Sequence, residues 1–205
     1  MGKMHNLIII FLFVSLSLNL TSKQILLGPN FNSQEEIQEA LIDLEPGDVL
    51  TLEAGEYFFE DGISLDVSDV IFEGSGLDDT ILNFGSQISG AQGLLVTSDG
   101  VTLRDFAILD AKGDAIKVIG ANGINMIRLR TEWSGGPKET NGAYGFYPVE
   151  SKNVLIDGCV AIGASDAGIY VGQSQNIIVK NSIAQYNVAG IEIENSYYAD
   201  VFDNL

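Results

Sequence analysis

The sequence of 205 residues predicts an all-β fold, a right-handed parallel β-helix. The main observation is a ladder of apolar positions that recur at nearly regular intervals. Its members are Phe72, Leu103, Met126, Ile156, Val179 and Val201, and the successive intervals are 31, 23, 30, 23 and 22 residues. Self-similarity with a period between about 20 and 50 residues is typical of a chain that coils repeatedly around one core.

Each unit of the repeat contains two short segments with alternating apolar residues, which indicates two strands. One set carries the ladder and lies at residues 101–103, 124–126, 154–156, 177–179 and 199–201; the second set lies at 115–118, 145–148, 168–171 and 190–193. Units of about 22 residues leave no room for crossover helices, so equivalent strands must stack directly on one another. Leucine-rich repeats and propeller blades fit less well, because their consensus residues and paired hairpins are absent.

A short amphipathic helix is predicted over residues 33–45, before the first regular coils. Ser33 is placed as the N-cap and Glu36 follows three residues later. The apolar face consists of Ile37, Ala40, Leu41 and Leu44. Pro46 and Gly47 then end the helix, and we expect it to cover the open apolar end of the solenoid.

Three segments of the chain resemble the pectin lyase-like superfamily. They are PGDVLTLEAGEY at 46–57, SDAGIYVGQSQN at 165–176 and NVAGIEIEN at 187–195. More narrowly, they resemble the carbohydrate-associated right-handed β-helix repeat proteins of bacteria, over roughly residues 25–205. The resemblance implies the fold and a connection with carbohydrate. It does not imply one activity, because the superfamily includes lyases, epimerases, hydrolases and proteins with no known reaction.

The amino terminus has the character of a signal peptide. Lys3 and His5 precede an apolar run at residues 7–16. We therefore expect a signal peptide over 1–22, a β-helix domain over 23–205, and export to the periplasm, the extracellular space or the cell surface. An uncleaved amino-terminal anchor is the alternative, and no other apolar run is long enough to span a bilayer.

The chain is strongly acidic, with 28 Asp and Glu against 10 Lys and Arg and a net charge of −18. Cleavage after Ser22 would remove Lys3 and no acid, which changes the net charge from −18 to −19. Such a surface excludes nucleic acid as a partner. It also repels polyuronates unless a cation such as Ca²⁺ bridges the two. Ca²⁺ is thus the one cofactor left open, with an early cluster of Asp66, Asp69, Asp78 and Asp79 as its candidate ligands.

The single histidine, His5, lies in the signal segment, so the mature chain would contain none. This excludes mechanisms that need an imidazole. The mechanism of the mannuronan C5-epimerases, which the chain also resembles, is one of them. The Gly-His-Gly signature of polygalacturonase-like hydrolases is absent as well. The single cysteine, Cys159, cannot form an internal disulfide, and we expect it to fill the core.

The candidate site is the outer face of the second set of strands. Alternation points Lys117, Tyr147, Tyr170 and Glu192 outward, and stacking at about 4.8 Å would make a row about 14 Å long. The unit of 30 residues carries its extra length in a loop just before Tyr147. We expect Trp133 and Tyr144, near the two ends of this loop, to bind sugar together with Glu192. The alternative is that the row is an ordinary solvated face and that Trp133 covers the underside of its own loop.

Two functions therefore remain open. One is a non-catalytic solenoid that binds a polysaccharide or another glycan, or that has a structural role at a surface. The absence of histidine, the scarcity of arginine and the acidic charge favour it. The other is a polysaccharide lyase acting on a uronate by β-elimination, with Tyr147 as a phenolate base stabilised by Lys117 and Tyr170 as the acid. Hydrolysis fits less well, because no two acids occupy suitable positions of the row.

The ladder stops at Val201, four residues before the end of the sequence. No cap is recognisable there, so we expect the last coil to expose strand edges and core. Either the chain is a fragment of a longer solenoid, or another subunit or segment covers that end.

Overall fold

The computed structural model describes residues 22–29 and 34–205. In these residues, twenty strands and one helix form a solenoid of parallel strands. Equivalent strands of successive coils are hydrogen-bonded, so that three sheets run along the solenoid with one core between them. The predicted parallel β-helix is therefore confirmed.

The strands are numbered along the chain. The first sheet consists of β1 (Gln24–Leu27), β2 (Val49–Leu52), β5 (Ile71–Glu73), β8 (Thr102–Arg104), β11 (Asn122–Ile127), β14 (Lys152–Asp157), β17 (Gln175–Lys180) and β20 (Tyr197–Phe202). The second sheet consists of β4 (Ile63–Leu65), β7 (Gln92–Val96), β10 (Asp114–Ile119), β13 (Phe146–Val149), β16 (Ala167–Gly172) and β19 (Ala189–Glu194). The third sheet consists of β3 (Gly55–Phe58), β6 (Thr80–Asn83), β9 (Ala107–Leu109), β12 (Arg130–Glu132), β15 (Val160–Ile162) and β18 (Ile183–Gln185).

The apolar ladder lies inside the first sheet, as predicted. Its members face one another from coil to coil, with the Cα pairs Phe72–Leu103, Leu103–Met126, Met126–Ile156, Ile156–Val179 and Val179–Val201. All but the last are completely buried, whereas Val201 is 44% exposed. The core is therefore closed along the coils and only partly covered at the last described coil.

The third sheet was not predicted, since the sequence indicated two strands per unit. Four of its six strands are only three residues long. Each of these four follows a turn whose first residue has a positive φ: Asp105 (62°), Arg128 (49°), Gly158 (65°) and Asn181 (52°). This left-handed conformation turns the chain sharply from the first sheet into the third.

The helix α1 (Gln34–Ile42) covers the amino-terminal end of the core, as expected. Ile37, Leu41 and Leu44 are buried in the core cluster. The side chain of Gln38 bonds both backbone groups of Ser64 in β4, donating to its carbonyl at 3.0 Å and accepting from its N–H at 2.8 Å. The predicted cap Ser33 lies outside the described residues, as does the signal segment up to residue 21.

Two further features concern the interior and the membrane. Cys159 is completely buried and free, which confirms its expected place in the core.

In the described part of the chain, no helix is long and apolar enough to cross a membrane.

Candidate functional site

The predicted outward row exists on the second sheet. Lys117 and Tyr147 are Cα partners, and so are Tyr170 and Glu192. The pairing of Phe146 with Ile169 sets Tyr147 beside Tyr170. The four residues therefore lie on four consecutive coils. Their inward neighbours Ile116, Phe146 and Ile169 are completely buried, which holds the strands in this register.

Three tyrosine rings form a cluster on this row. The ring centroids of Tyr144 and Tyr147 lie 4.6 Å apart, and those of Tyr144 and Tyr170 lie 4.7 Å apart. Tyr147 and Tyr170 meet edge to face at 5.3 Å. All three side chains are half-buried, so part of each ring stays accessible. We call the surface formed by Tyr144, Tyr147 and Tyr170 the tyrosine face.

Lys117 lies against the ring of Tyr147 rather than beside its oxygen. The ammonium nitrogen is 4.6 Å from the ring centroid, and it also lies 3.7 Å from a carboxylate oxygen of Asp114. The pKa of Tyr147 is raised above its usual value by burial and by the charges of Asp114 and Glu150. This is the reverse of the expectation that Lys117 would stabilise a phenolate.

The other two phenols are also held in their neutral form. Burial, together with the charge of Asp166 and a hydrogen bond to it, raises the pKa of Tyr144 to about 12. The hydroxyl of Tyr170 donates to Glu194 Oε2 at 2.7 Å, and this bond is the main cause that raises the pKa of Tyr170. At neutral pH the tyrosine face therefore presents three protonated phenols.

Trp133 does not belong to the surface, so the prediction that it binds sugar is wrong. Its side chain is only 5% exposed and lies in the core cluster. The indole N–H donates to the carbonyl oxygen of Ala111, in the preceding coil, at 2.8 Å. Both the ring and the N–H are thus used inside the protein. The alternative prediction, that Trp133 packs beneath its own loop, agrees better with the structure.

Several carboxylates that the sequence did not single out surround the tyrosine face. Asp114 and Glu194 bond Lys117 and Tyr170 respectively, and Asp166 bonds Tyr144. Burial raises the pKa of Asp114, against the opposing attraction of Lys117. In the sequence, the only indication that these carboxylates belong to the site is that each lies within a few residues of a member of the predicted row.

The candidate calcium ligands do not form a cluster. Among the described residues, no group of three or more His, Cys, Asp or Glu side chains is placed to hold a metal ion. Asp78, one of the four expected ligands, instead lies 3.4 Å from the guanidinium of Arg130.

Comparison with known proteins places the chain in a family. It matches the right-handed β-helix region over residues 78–205, and it belongs to that family. No curated protein is similar to it in sequence.

The solved structures that share the fold include two alginate lyases. An alginate lyase from Paenibacillus sp. str. FPU-7 has a TM-score of 0.58 and 16% identity, over 88% of this chain and 75% of that one. The PL6 family alginate lyase AlyGC has a TM-score of 0.56 and 14% identity, over 87% of this chain. The match spans only 29% of the length of AlyGC. At these identities the likeness concerns the fold alone.

Proposed function

We propose that the protein binds a polysaccharide or another glycan on its tyrosine face, as an exported β-helix protein without a catalytic reaction. The observation that carries the proposal is the cluster of three contacting phenol rings on the outside of a sheet. A sugar ring has an apolar C–H face and a rim of hydroxyls. A tyrosine matches both, because its ring is apolar and its hydroxyl donates and accepts hydrogen bonds.

The electrostatics of the face favour a neutral sugar. Asp114, Asp166 and Glu194 flank the rings, and the cation Lys117 is already paired with Asp114. An anionic polymer would meet these carboxylates at short range and be repelled. Neutral polysaccharides avoid this repulsion, and their hydroxyls can donate to the same carboxylates. The alginate lyases with a similar fold lend general support to a link with carbohydrate.

The test is binding to a panel of neutral and uronate polysaccharides, measured by affinity gel electrophoresis. Tyr147→Ala and Tyr170→Ala should each weaken binding to a neutral polymer roughly 2- to 13-fold, as expected for the loss of one aromatic contact of about 0.5–1.5 kcal/mol. Tyr197→Ala is the matched control, because Tyr197 is 69% exposed on the first sheet. Unchanged retardation of both face variants would sink the proposal.

A uronate lyase remains the second candidate, on the specific observation that Lys117 contacts Tyr147. A base at Tyr147 would have to work against the raised pKa of its phenol. The assay follows the ultraviolet absorbance of unsaturated ends on uronate polymers, with and without Ca²⁺. Glycan binding without any such signal supports the first proposal, whereas a signal abolished by Tyr147→Phe supports the lyase.

Export rests on the sequence of residues 1–22 alone. The proposal is tested by expressing the full sequence in a bacterium and recovering the protein from the periplasm or the medium. Intact mass would show removal of about 22 residues if the segment is a signal peptide. Retention of the complete chain in the membrane fraction would instead support the uncleaved anchor.

A further inference from the structure

A cleft lies on the outer face of the first sheet, away from the tyrosine face. Its volume is about 400 Å³, a size typical of small-molecule sites. It is lined by Asn153, Val154, Leu155, Asn176, Ile177, Ile178, Tyr198 and Asp200. These residues come from β14, β17 and β20, so the cleft crosses three consecutive coils.

The floor of this cleft is apolar and ends at a carboxylate. Leu155 and Ile178 are Cα partners on its outward side, and Ile178 is 39% exposed. Asp200 occupies the same position in the next coil. A ligand that lies on this floor thus meets an aliphatic surface on one side and a hydrogen-bond acceptor on the other.

One rim of the cleft is a ladder of side-chain amides. The side-chain amide of Asn153 donates to Asn122 Oδ1 at 2.7 Å, and that of Asn176 donates to Asn153 Oδ1 at 3.1 Å. The residue at this position in the next coil is Tyr198, which has no amide with which to continue the ladder. Within the described residues, no hydrogen bond to Asn176 Oδ1 is present, so this side-chain acceptor stays open at the cleft.

Tyr198 forms the wall of the cleft in a strained conformation. Its φ is 58° and its side chain is 77% exposed. The preceding coils also have a positive φ at this position, but there the residues are Asp69, Gly100, Gly123, Asn153 and Asn176. Those residue types adopt the left-handed conformation more readily than an aromatic residue, although Tyr186 (60°) adopts it as well. Tyr198 thus presents an exposed aromatic ring at the cleft, at a position where the preceding coils carry short side chains or glycine.

We propose that this cleft, the Tyr198 cleft, binds a neutral pyranose sugar. The C–H face of the sugar packs on the ring of Tyr198 and on Ile178. Its hydroxyls donate to Asn176 Oδ1 and to the carboxylate of Asp200. Among the described residues that line the cleft there is no lysine or arginine, so Asp200 would repel a uronate. The site is on another sheet from the tyrosine face, and the inference does not rest on the function proposed there.

The experiment titrates the isotope-labelled full chain with maltose, cellobiose, lactose and galacturonate, up to about 10 mM, and follows the backbone amide signals by NMR. At least one neutral disaccharide should shift the signals of the lining residues, and galacturonate should not. Tyr198→Asn should weaken that binding roughly 2- to 13-fold. It should leave the unfolding midpoint unchanged or raised, because asparagine tolerates the left-handed conformation.

Two further variants make the result decisive. Tyr197→Ala, in the adjacent exposed tyrosine, should leave binding unchanged, whereas Asp200→Asn should weaken it. The inference is overturned if none of the three neutral disaccharides shifts the lining residues, or if galacturonate shifts them equally. It is also overturned if the shifts persist undiminished in both Tyr198→Asn and Asp200→Asn. Shifts confined to the tyrosine face would support the function proposed above and contradict this one.

Discussion

The last two members of the apolar ladder are a matched pair for measuring what burial contributes to the fold. Val179 and Val201 are Cα partners in neighbouring coils, yet Val179 is completely buried and Val201 is 44% exposed. Val179→Ala removes two methyl groups, at about 0.8 kcal/mol each, and leaves a cavity. We expect it to lower the free energy of unfolding by about 1.5–2.5 kcal/mol. Val201→Ala should lower it by only about 0.5 kcal/mol, since little surface is lost and no closed cavity forms.

The assay is urea unfolding followed by far-ultraviolet circular dichroism, with the two variants and the unsubstituted chain measured side by side. A shift of the midpoint at constant slope reports a change in stability rather than in the unfolded state. A loss at Val201 as large as that at Val179 would refute the reasoning, because it would mean that another surface covers the last rung in solution. A loss below about 0.5 kcal/mol at Val179 would contradict its burial in a packed core.

Three other outcomes follow from the structure. Trp133→Phe should lower the free energy of unfolding by about 1 kcal/mol, because the hydrogen bond from the indole N–H to Ala111 is lost. Glycan binding should stay unchanged, and weakened binding would contradict the buried position of the indole. Cys159 is buried and its pKa is raised to about 12, so a maleimide should label it only in urea; rapid labelling of the native chain would contradict this. Burial raises the pKa values of Tyr57 and Tyr144 from 10 to about 12. The stability that these two phenols contribute should therefore be complete below pH 10 and be lost between about pH 10 and 12, where the unfolded phenols ionise first. Urea melts that show no such loss would contradict the shifts.

The first and second sheets could be predicted from the sequence because two periods coincide there, one along each strand and one from coil to coil. Alternation along each strand and recurrence from coil to coil both select the same inward residues, such as Met126 and Ile156. The third sheet was not predicted because most of its strands have three residues, too few to display an alternating pattern. Its entry turns gave no uniform signal either, since Arg128 adopts the same positive φ as Asn181 without belonging to a turn-forming residue type.

The sequence predicted which residues of the candidate site lie side by side, but not how deeply each is buried or how its pKa is shifted. Lys117, Tyr147 and Tyr170 stack as predicted because adjacent coils pair residue by residue. The burial of Trp133 depends on a carbonyl of the preceding coil, which spacing along the chain does not reveal. The raised pKa of Tyr170 likewise depends on Glu194, which lies 24 residues away in sequence.

The most direct test of glycan binding at the tyrosine face is fluorine NMR of the chain labelled with 3-fluorotyrosine. The sequence contains seven tyrosines, and single Tyr→Phe variants assign their signals. With fragments of the polysaccharide that binds most tightly, the signals of Tyr144, Tyr147 and Tyr170 should shift together. The signal of the buried Tyr57 should remain in place. Binding that shifts none of the three face signals would contradict the account.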